Sequence, residues 1–221
     1  MKISKPKAVI LLSGGLDSAV TLYIAKHRGF DCRCLIFDYG QRHNKEIESA
    51  KKIALKLGCH YDILKINLPW KGSFLLESKS RLPANNYRSP VKIPSTYVPG
   101  RNIIFLSFAL SYAEAILGRA IFIGAHNQDY SGYPDCRPEF FKAFSAMALK
   151  GTKAGVENKR IVIEAPLLNK GKAEIIKIGA KLKVPFSLTW SCYQGGKKPC
   201  GKCDSCYFRI KGFKEAGVKD S

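Results

Sequence analysis

The chain has 221 residues, of which 46% are hydrophobic, and 37 Lys and Arg against 17 Asp and Glu give a net charge of +20. This length and apolar content suit one buried core with at most a small appendage. No apolar stretch approaches the roughly 18 residues of a membrane span, and residues 1–7 lack the apolar region of a secretory signal, which predicts a cytoplasmic protein without a membrane partner. The spread of the basic residues favours a solvated surface that attracts nucleotide over a stable nucleic-acid partner.

The first predicted strand, residues 8–12, runs through a glycine-rich turn into a helical pattern over residues 18–27. Such a turn presents backbone N–H groups and the positive end of a helix dipole to an anion, and Asp17 adds a carboxylate for Mg²⁺ held on phosphates. The Lys of a Walker A loop is absent, and an ordinary strand-turn-helix corner is the alternative. The candidate nucleotide-binding residues are Leu12, Ser13, Gly14, Gly15, Leu16, Asp17 and Ser18. Their pattern resembles the pyrophosphate loop of the ATP pyrophosphatases, which commonly cleave ATP between the α and β phosphates to adenylate a substrate oxygen.

The apolar pattern then alternates between strand and helix periods. Further strands are predicted over residues 33–37, 61–66, 120–124 and 160–164, and further helices over residues 45–57, 102–117, 138–149 and 172–182. Alternating βα units predict an α/β fold with five parallel strands that bind ligands at their carboxyl ends. The resemblance to the ATP pyrophosphatases implies that this sheet is Rossmann-like, of the adenine nucleotide alpha hydrolase (HUP) type. Residues 67–100 break the pattern with five prolines and predict a partly flexible insertion.

Charged side chains near the predicted carboxyl edge are candidates for catalysis. Lys172 begins a predicted helix and Arg101 precedes one, so both are expected to balance phosphate charge, although solvated or salt-bridged side chains are the alternative. His43 and Glu46 are candidates for orienting substrate or carrying protons, and a structural histidine is the alternative.

The segment 124–137 is dense in polar groups and follows the fourth predicted strand. Carboxylates there suit the amino and ring N–H edge of a guanine-like base, tyrosines suit stacking on it, and amides suit its polar edge. The candidate substrate-binding residues are Asn127, Gln128, Asp129, Tyr130, Tyr133 and Asp135. A polar surface loop is the alternative, and Cys136 as a covalent nucleophile is a weaker hypothesis because adenylation requires none.

Cys192, Cys200, Cys203 and Cys206 are spaced C-x7-C-x2-C-x2-C near the end of the chain. Four thiolates with short spacers suit one tetrahedral Zn²⁺, with an iron–sulfur cluster or a redox pair as alternatives. The remaining cysteines Cys32, Cys34 and Cys59 are predicted to be buried small hydrophobic residues. We therefore expect residues 1–188 to form the nucleotide-binding domain and residues 189–221 a zinc-binding element packed on it.

Several motifs together resemble the 7-cyano-7-deazaguanine synthases, a queuosine-pathway family. They are the loop at residues 13–18, Phe37 to His43, Val98 to Asn102, His126 to Arg137 and the four-cysteine pattern. The resemblance implies an ATP-dependent conversion of 7-carboxy-7-deazaguanine and ammonia into the nitrile, through adenylated and amide intermediates. We expect Asp17, Arg101, Asp129 and Lys172 to be catalytic, ATP, Mg²⁺ and Zn²⁺ to be bound, and the chain to form a homodimer. The alternatives are a tRNA-thiolating or other base-modifying enzyme, and a non-enzymatic nucleotide-binding or zinc-dependent module.

Overall fold

A computed structural model describes residues 4–41, 44–69, 73, 75–76, 93, 96–126 and 132–220. Its centre is a sheet of five parallel strands in the order β3-β2-β1-β4-β5. The strands are β1 (Lys7–Leu11), β2 (Asp31–Asp38), β3 (His60–Lys65), β4 (Ala120–Phe122) and β5 (Val162–Glu164). The helices are α1 (Leu16–His27), α2 (Lys45–Lys56), α3 (Arg101–Ala115), α4 (Pro138–Gly151), α5 (Lys153–Val156), α6 (Lys172–Lys181) and α7 (Asp204–Ala216), with 3₁₀ turns at Pro134–Cys136 and Phe186–Leu188.

Alternating side chains of the central strands build two apolar layers. Ala8 and Ile10 of β1 face a cluster that contains residues of α1, α2, α6 and α7. Val9 and Leu11 face the opposite cluster, which contains residues of α3 and α4. Because successive strand residues point to opposite faces, a nearly continuous apolar strand is buried from both sides. The fold is therefore a three-layer α/β structure.

The strand and helix pattern of the sequence predicted this architecture. All five predicted strands and all five predicted helices are present, and the Rossmann-like parallel sheet is confirmed. The ends differ: α1 begins at Leu16 rather than at residue 18, and β4 ends at Phe122 rather than at residue 124. The sequence pattern did not predict α7, which follows the cysteine cluster and packs along α6.

Most of the insertion predicted over residues 67–100 lies outside the described residues. Cys32, Cys34 and Cys59 are buried in the apolar layer beneath α1 and α2, as the strand pattern predicted. Within the part of the chain that the structure describes, no helix is both long enough and apolar enough to cross a membrane.

Candidate active site

The glycine-rich loop lies between the carboxyl end of β1 and the start of α1. Gly14 has a φ of +84°, and a Cβ at this position would overlap the carbonyl oxygen of Glu46 and lie 2.8 Å from the amide nitrogen of Ala50. The loop backbone therefore packs directly on α2, and both the positive φ and the close approach require glycine. This packing fixes the height of the loop above the sheet.

Two serine hydroxyls tie the loop to the first turn of α1. Ser13 Oγ donates to Ser18 Oγ at 3.0 Å, Ser18 Oγ donates to the carbonyl oxygen of Gly15 at 3.0 Å, and the amide of Gly15 donates to Ser13 Oγ at 3.3 Å. The N-cap residue of α1 is Gly15, which has no side chain to cap the helix. The first-turn N–H groups of a helix need acceptors from outside it, so an anion could bind at this loop.

Asp17, Lys172 and His126 form a cluster beside this loop. Lys172 Nζ lies 2.8 Å from both carboxylate oxygens of Asp17 and 3.0 Å from His126 Nε2, and His126 Nε2 lies 3.6 Å from Asp17 Oδ2. These residues come from α6, α1 and the segment after β4, so three elements converge there. The sequence predicted roles for Asp17 and Lys172 but none for His126, although its position four residues beyond the end of β4 placed it near the carboxyl edge of the sheet.

The electrostatics of this cluster keep Asp17 ionised. Burial by itself raises the pKa of Asp17, yet Lys172 and His126 outweigh burial and hold the pKa well below its usual range. The side chain of Asp17 is 24% exposed and that of Lys172 is 13% exposed, so the pair is reachable from the loop side without being fully hydrated. A carboxylate and an ammonium are thus held at a helix N-terminus that favours anions.

A second charged group surrounds Arg101, the first residue of α3. Its guanidinium donates to the hydroxyl of the buried Tyr39 at 3.5 Å. Burial raises the pKa of Glu46 to about 7, and Arg101 acts in the opposite direction. Because Gly14 packs on the backbone of Glu46, this group lies on the α2 side of the loop.

The described part of the predicted substrate segment is anchored to the start of α3. Asp135 is 5% exposed, and its Oδ2 accepts a hydrogen bond of 2.9 Å from the backbone N–H of Asn102. The side-chain Nδ2 of Asn102 donates to the backbone carbonyl of Asp135 at 3.2 Å and to Cys136 Sγ at 3.1 Å. One oxygen of Asp135 therefore supports the helix, and a contact between this residue and substrate stays a prediction.

Tyr133 extends this group toward the preceding segment. Its hydroxyl lies 2.7 Å from Thr96 Oγ1, and its ring centroid lies 6.1 Å from that of Tyr97. Asn127, Gln128, Asp129 and Tyr130, together with His43, lie outside the described residues. Their predicted roles stay predictions, as does the role of Cys136, which is buried.

The four cysteines near the end of the chain converge on one point. Their Sγ atoms all lie within 4.8 Å of one another, and Cys200 and Cys206 are 4.0 Å apart. Zn–S bonds of about 2.3 Å in a tetrahedron separate the sulfurs by about 3.8 Å, so the donor set fits a tetrahedral metal ion. Backbone amides of Lys202 and Cys203 donate to Cys200 Sγ at 3.4 and 3.3 Å.

These amides favour the thiolate. Burial raises the pKa of Cys200, but the backbone N–H groups of Lys202 and Cys203 and the side chains of Cys192 and Cys203 together outweigh it and lower the pKa to about 7. Cys192 Sγ likewise accepts from the amides of Gln194 and Cys200, at 3.4 and 3.3 Å. The cluster can therefore hold a metal ion.

Trp190 joins this cluster to the glycine-rich loop. Its backbone amide donates to the carbonyl of Gly14 at 2.9 Å, and its indole Nε1 donates to the carbonyl of Cys192 at 2.8 Å. One residue thus bonds to the loop and to a cysteine of the metal-binding set.

Comparison with known proteins gives this arrangement a family. The model of the queuosine biosynthesis protein QueC family matches residues 7–217. The chain belongs to the QueC family. Proteins named 7-cyano-7-deazaguanine synthase are similar to it over nearly the whole length of both chains. The protein of Trichodesmium erythraeum is 50% identical, and the match covers 97% of this chain and 98% of the relative. The protein of Acetivibrio thermocellus is 52% identical, and the match covers 97% of this chain and 96% of the relative. The Thermoplasma acidophilum protein of the same name is 48% identical, covering 99% and 92%.

Solved structures with the same fold extend beyond the QueC family. NMN synthetase from Francisella tularensis has a TM-score of 0.51 at 15% identity and covers 98% of this chain and 89% of that one. The U34-tRNA thiolase NcsA from Methanococcus maripaludis, with its [4Fe-4S] cluster, has a TM-score of 0.50 at 18% identity and covers 96% and 65%. At these identities the likeness concerns the fold alone.

Proposed function

We propose that the chain is a cytoplasmic 7-cyano-7-deazaguanine synthase, an ATP-dependent ligase that converts 7-carboxy-7-deazaguanine and ammonia into the nitrile. The observation that carries the proposal is identity of about 50% over nearly the full length to relatives of that name. The glycine-rich loop supports it, because adenylation of a carboxylate needs a site for the phosphates of ATP.

The chemistry requires two activations. The carboxylate first attacks the α phosphate of ATP, which gives an acyl adenylate and pyrophosphate. Ammonia then displaces AMP and forms the amide. The amide oxygen then attacks the α phosphate of a second ATP, which releases pyrophosphate and one proton of the amide nitrogen and gives an adenylated imidate. Loss of AMP and of the second proton of that nitrogen leaves the nitrile. One adenylating site serves both steps, since in each an oxygen bonded to the same substrate carbon attacks the α phosphate.

The loop residues 12–18 are proposed to hold the ATP phosphates. Mg²⁺ would supply positive charge to those phosphates, and the ionised carboxylate of Asp17 is the residue that fits it. The ammonium of Lys172, 2.8 Å from both Asp17 oxygens, adds a second positive charge as pyrophosphate leaves. Arg101 supplies positive charge on the α2 side of the loop.

The segment 127–135 is proposed to bind the deazaguanine. Asp129 and Asp135 would accept from its amino and ring N–H groups, Tyr130 and Tyr133 would stack on the ring, and Asn127 and Gln128 would bind its polar edge. The support is that Asp135 accepts a hydrogen bond from Asn102, the residue after Arg101 in α3, and that the hydroxyl of Tyr133 is hydrogen-bonded to that of Thr96.

The four cysteines are proposed to bind Zn²⁺ as a closed structural site. A tetrahedral tetrathiolate has no open position for substrate, so its contribution is to the folding of the C-terminal element.

The experiment is mass spectrometry of purified protein incubated with ATP, Mg²⁺, ammonium and 7-carboxy-7-deazaguanine. We expect nitrile, with two AMP and two pyrophosphate for each. Asp17→Asn is expected to lower turnover by at least about a hundredfold, the scale of losing one electrostatic group at a reacting centre. Asp31→Asn is the matched control, because Asp31 begins β2 at the opposite end of the sheet. Absence of nitrile and of substrate-dependent ATP cleavage would contradict the proposal and favour tRNA as the acceptor.

A further inference from the structure

Gly212 lies in the middle of α7, where it faces the side chain of Lys172. A Cβ at position 212 would lie 2.5 Å from Cγ and 3.1 Å from Cβ of Lys172, and 2.9 Å from Cδ1 of Ile176. Glycine inside a helix costs about 1 kcal/mol relative to alanine. The contact with Lys172 therefore gives a packing reason for a residue that the helix itself disfavours.

Lys172 occupies a position that is unfavourable for a cation. It is the first residue of α6, after the N-cap residue Gly171, where the helix dipole repels positive charge. Its aliphatic stem passes over Gly212, and its ammonium reaches Asp17 and His126. Cβ and Cγ of Lys172 pack on the backbone of α7 at Gly212, so the side chain has little freedom to move away from an added methyl group there.

Helix α7 is a firm support for that stem. Arg209 of α7 binds Asp220 through Nε at 2.7 Å and donates to Thr189 Oγ1 at 2.8 Å and to the carbonyl of Phe186 at 3.1 Å. The ring of Phe213 packs edge-on against that of Phe186, with centroids 5.0 Å apart. The helix is thus held to the segment before the cysteine cluster.

We infer that Gly212 is a positioning residue: its missing side chain lets the stem of Lys172 lie against α7, which sets the ammonium between Asp17 and His126. This inference rests on the proposed role of Lys172 at the ATP phosphates. A methyl group at position 212 displaces Cγ of Lys172, and the ammonium at the end of the stem moves with it.

The test is a double-mutant cycle of Gly212→Ala and Lys172→Ala, read by calorimetry of an ATP analogue with a methylene between the α and β phosphates, in the presence of Mg²⁺. We expect Gly212→Ala to weaken binding about tenfold in the wild-type chain, the scale of one hydrogen bond to a charged group. In the Lys172→Ala background it is expected to change binding by less than about twofold, because Cγ of Lys172, which the added methyl group approaches most closely, and the ammonium beyond it are absent there. In steady-state assays Gly212→Ala should raise KM for ATP and leave KM for ammonia unchanged.

The matched control is Gly155→Ala in α5. Its added Cβ would overlap the carbonyl oxygen of Leu149, at the end of the sheet face that α3 and α4 cover, so it disturbs packing away from Lys172 and α7. We expect it to lower stability with both KM values unchanged. An equal loss from Gly212→Ala in both backgrounds would overturn the inference. Unchanged analogue binding in Lys172→Ala alone would instead overturn the proposed role of Lys172.

Folding gives a second readout. If Gly212→Ala alone does not fold, the inference requires that Gly212→Ala combined with Lys172→Ala fold, since the closest contact of the added methyl group, 2.5 Å, is with Cγ of Lys172. Failure of both chains to fold would count against it, whereas recovery in the double variant would support it.

Discussion

At the scale of single residues, the candidate site contains two carboxyl groups that burial destabilises in their charged form. Asp17 is held ionised by Lys172 and His126, whereas Glu46 on the other side of the loop is held near neutrality by burial. Two carboxyl groups beside one loop therefore differ widely in pKa, because one has a cationic partner within 3 Å and the other is mainly desolvated.

The raised pKa of Glu46 makes stability depend on pH. An unfolded glutamic acid ionises near its ordinary value of 4.5, whereas folded Glu46 keeps its proton up to about 7. The folded state binds the extra proton in that window, so stability falls as the pH rises through it. We expect Glu46→Gln to be about 1–2 kcal/mol more stable than the wild type at pH 8, with a smaller difference at pH 5. Urea unfolding at both pH values measures this.

Glu48→Gln is the control for that measurement. Glu48 lies on the exposed side of α2 and forms a 2.8 Å ion pair with Lys51, so its removal should give no gain at pH 8. Equal behaviour of the two variants would contradict the explanation by burial.

The close packing of Gly14 leads to a prediction about the loop. Gly14→Ala combines a left-handed backbone with overlap of the Glu46 carbonyl, whereas Gly29→Ala has a φ of +89° with no atom within 4 Å of the added Cβ. We expect Gly29→Ala to cost about 1–2 kcal/mol and Gly14→Ala to cost more and also to weaken ATP binding by at least about tenfold. Urea unfolding and calorimetry of ATP binding separate the two costs. Similar values for both variants would show that loop packing adds nothing.

At the scale of elements, the sequence predicted the sheet better than it predicted the C-terminal helix. The strands are runs of apolar residues buried on both faces, such as Val9 and Ile10, and their pattern is unambiguous. In α7 the apolar residues fall on several faces, since Tyr207 and Ile210 are exposed while Phe213 is buried, so the helical period is hidden. The cluster of Asp17, Lys172 and His126 joins residues far apart in the chain, and periodicity contains no information about such contacts.

The cysteine cluster leads to a prediction about metal removal. Cys203 is the N-cap residue of α7 and Cys206 lies in its first turn, so a bound metal fixes the start of that helix. We expect chelation to lower Tm by about 10 °C, for a loss of ~3 kcal/mol at 2–4 °C per kcal/mol. Hydrogen exchange should become faster in residues 190–216 and stay unchanged in β1.

Cys59→Ser provides the matched control for metal removal. Cys59 is buried outside the cluster, so the variant should keep its metal, whereas Cys200→Ser should lose it. If chelation left hydrogen exchange in residues 190–216 unchanged, this would contradict the prediction that the metal-bound cluster stabilises the start of α7.

At the scale of the whole molecule, the C-terminal element shares a buried cluster with the sheet and its helices. Phe213 of α7 belongs to the same buried cluster as Val20 of α1 and Ile176 of α6. The boundary predicted at residue 188 thus separates two stretches of sequence that pack into one apolar layer. Nothing in the order of the strands or in the composition indicated how much of that layer the last residues supply.

Shared packing predicts that a chain ending at residue 188 folds poorly. Loss of a buried Phe alone costs about 3–5 kcal/mol, against a total stability of about 5–15 kcal/mol. We expect the shortened chain to aggregate or to melt at least about 10 °C lower, as measured by circular dichroism. A chain ending at Val218 keeps α7 and loses the ion pair between Arg209 and Asp220, so it is expected to melt within about 4 °C of the full-length value. A cooperative, undiminished transition in the shorter chain would show that the first 188 residues are autonomous.

Trp190 also gives the molecule an optical property. The chain has two tryptophans, at positions 70 and 190. The indole of Trp190 donates to the carbonyl of Cys192, and the backbone of the same residue donates to Gly14 in the loop. With Trp70 replaced by Phe, the tryptophan emission of the protein would arise from a single indole between the cysteine cluster and the glycine-rich loop. The wavelength of this emission would then report metal binding at the cysteine cluster or nucleotide binding at the loop in real time, without a label.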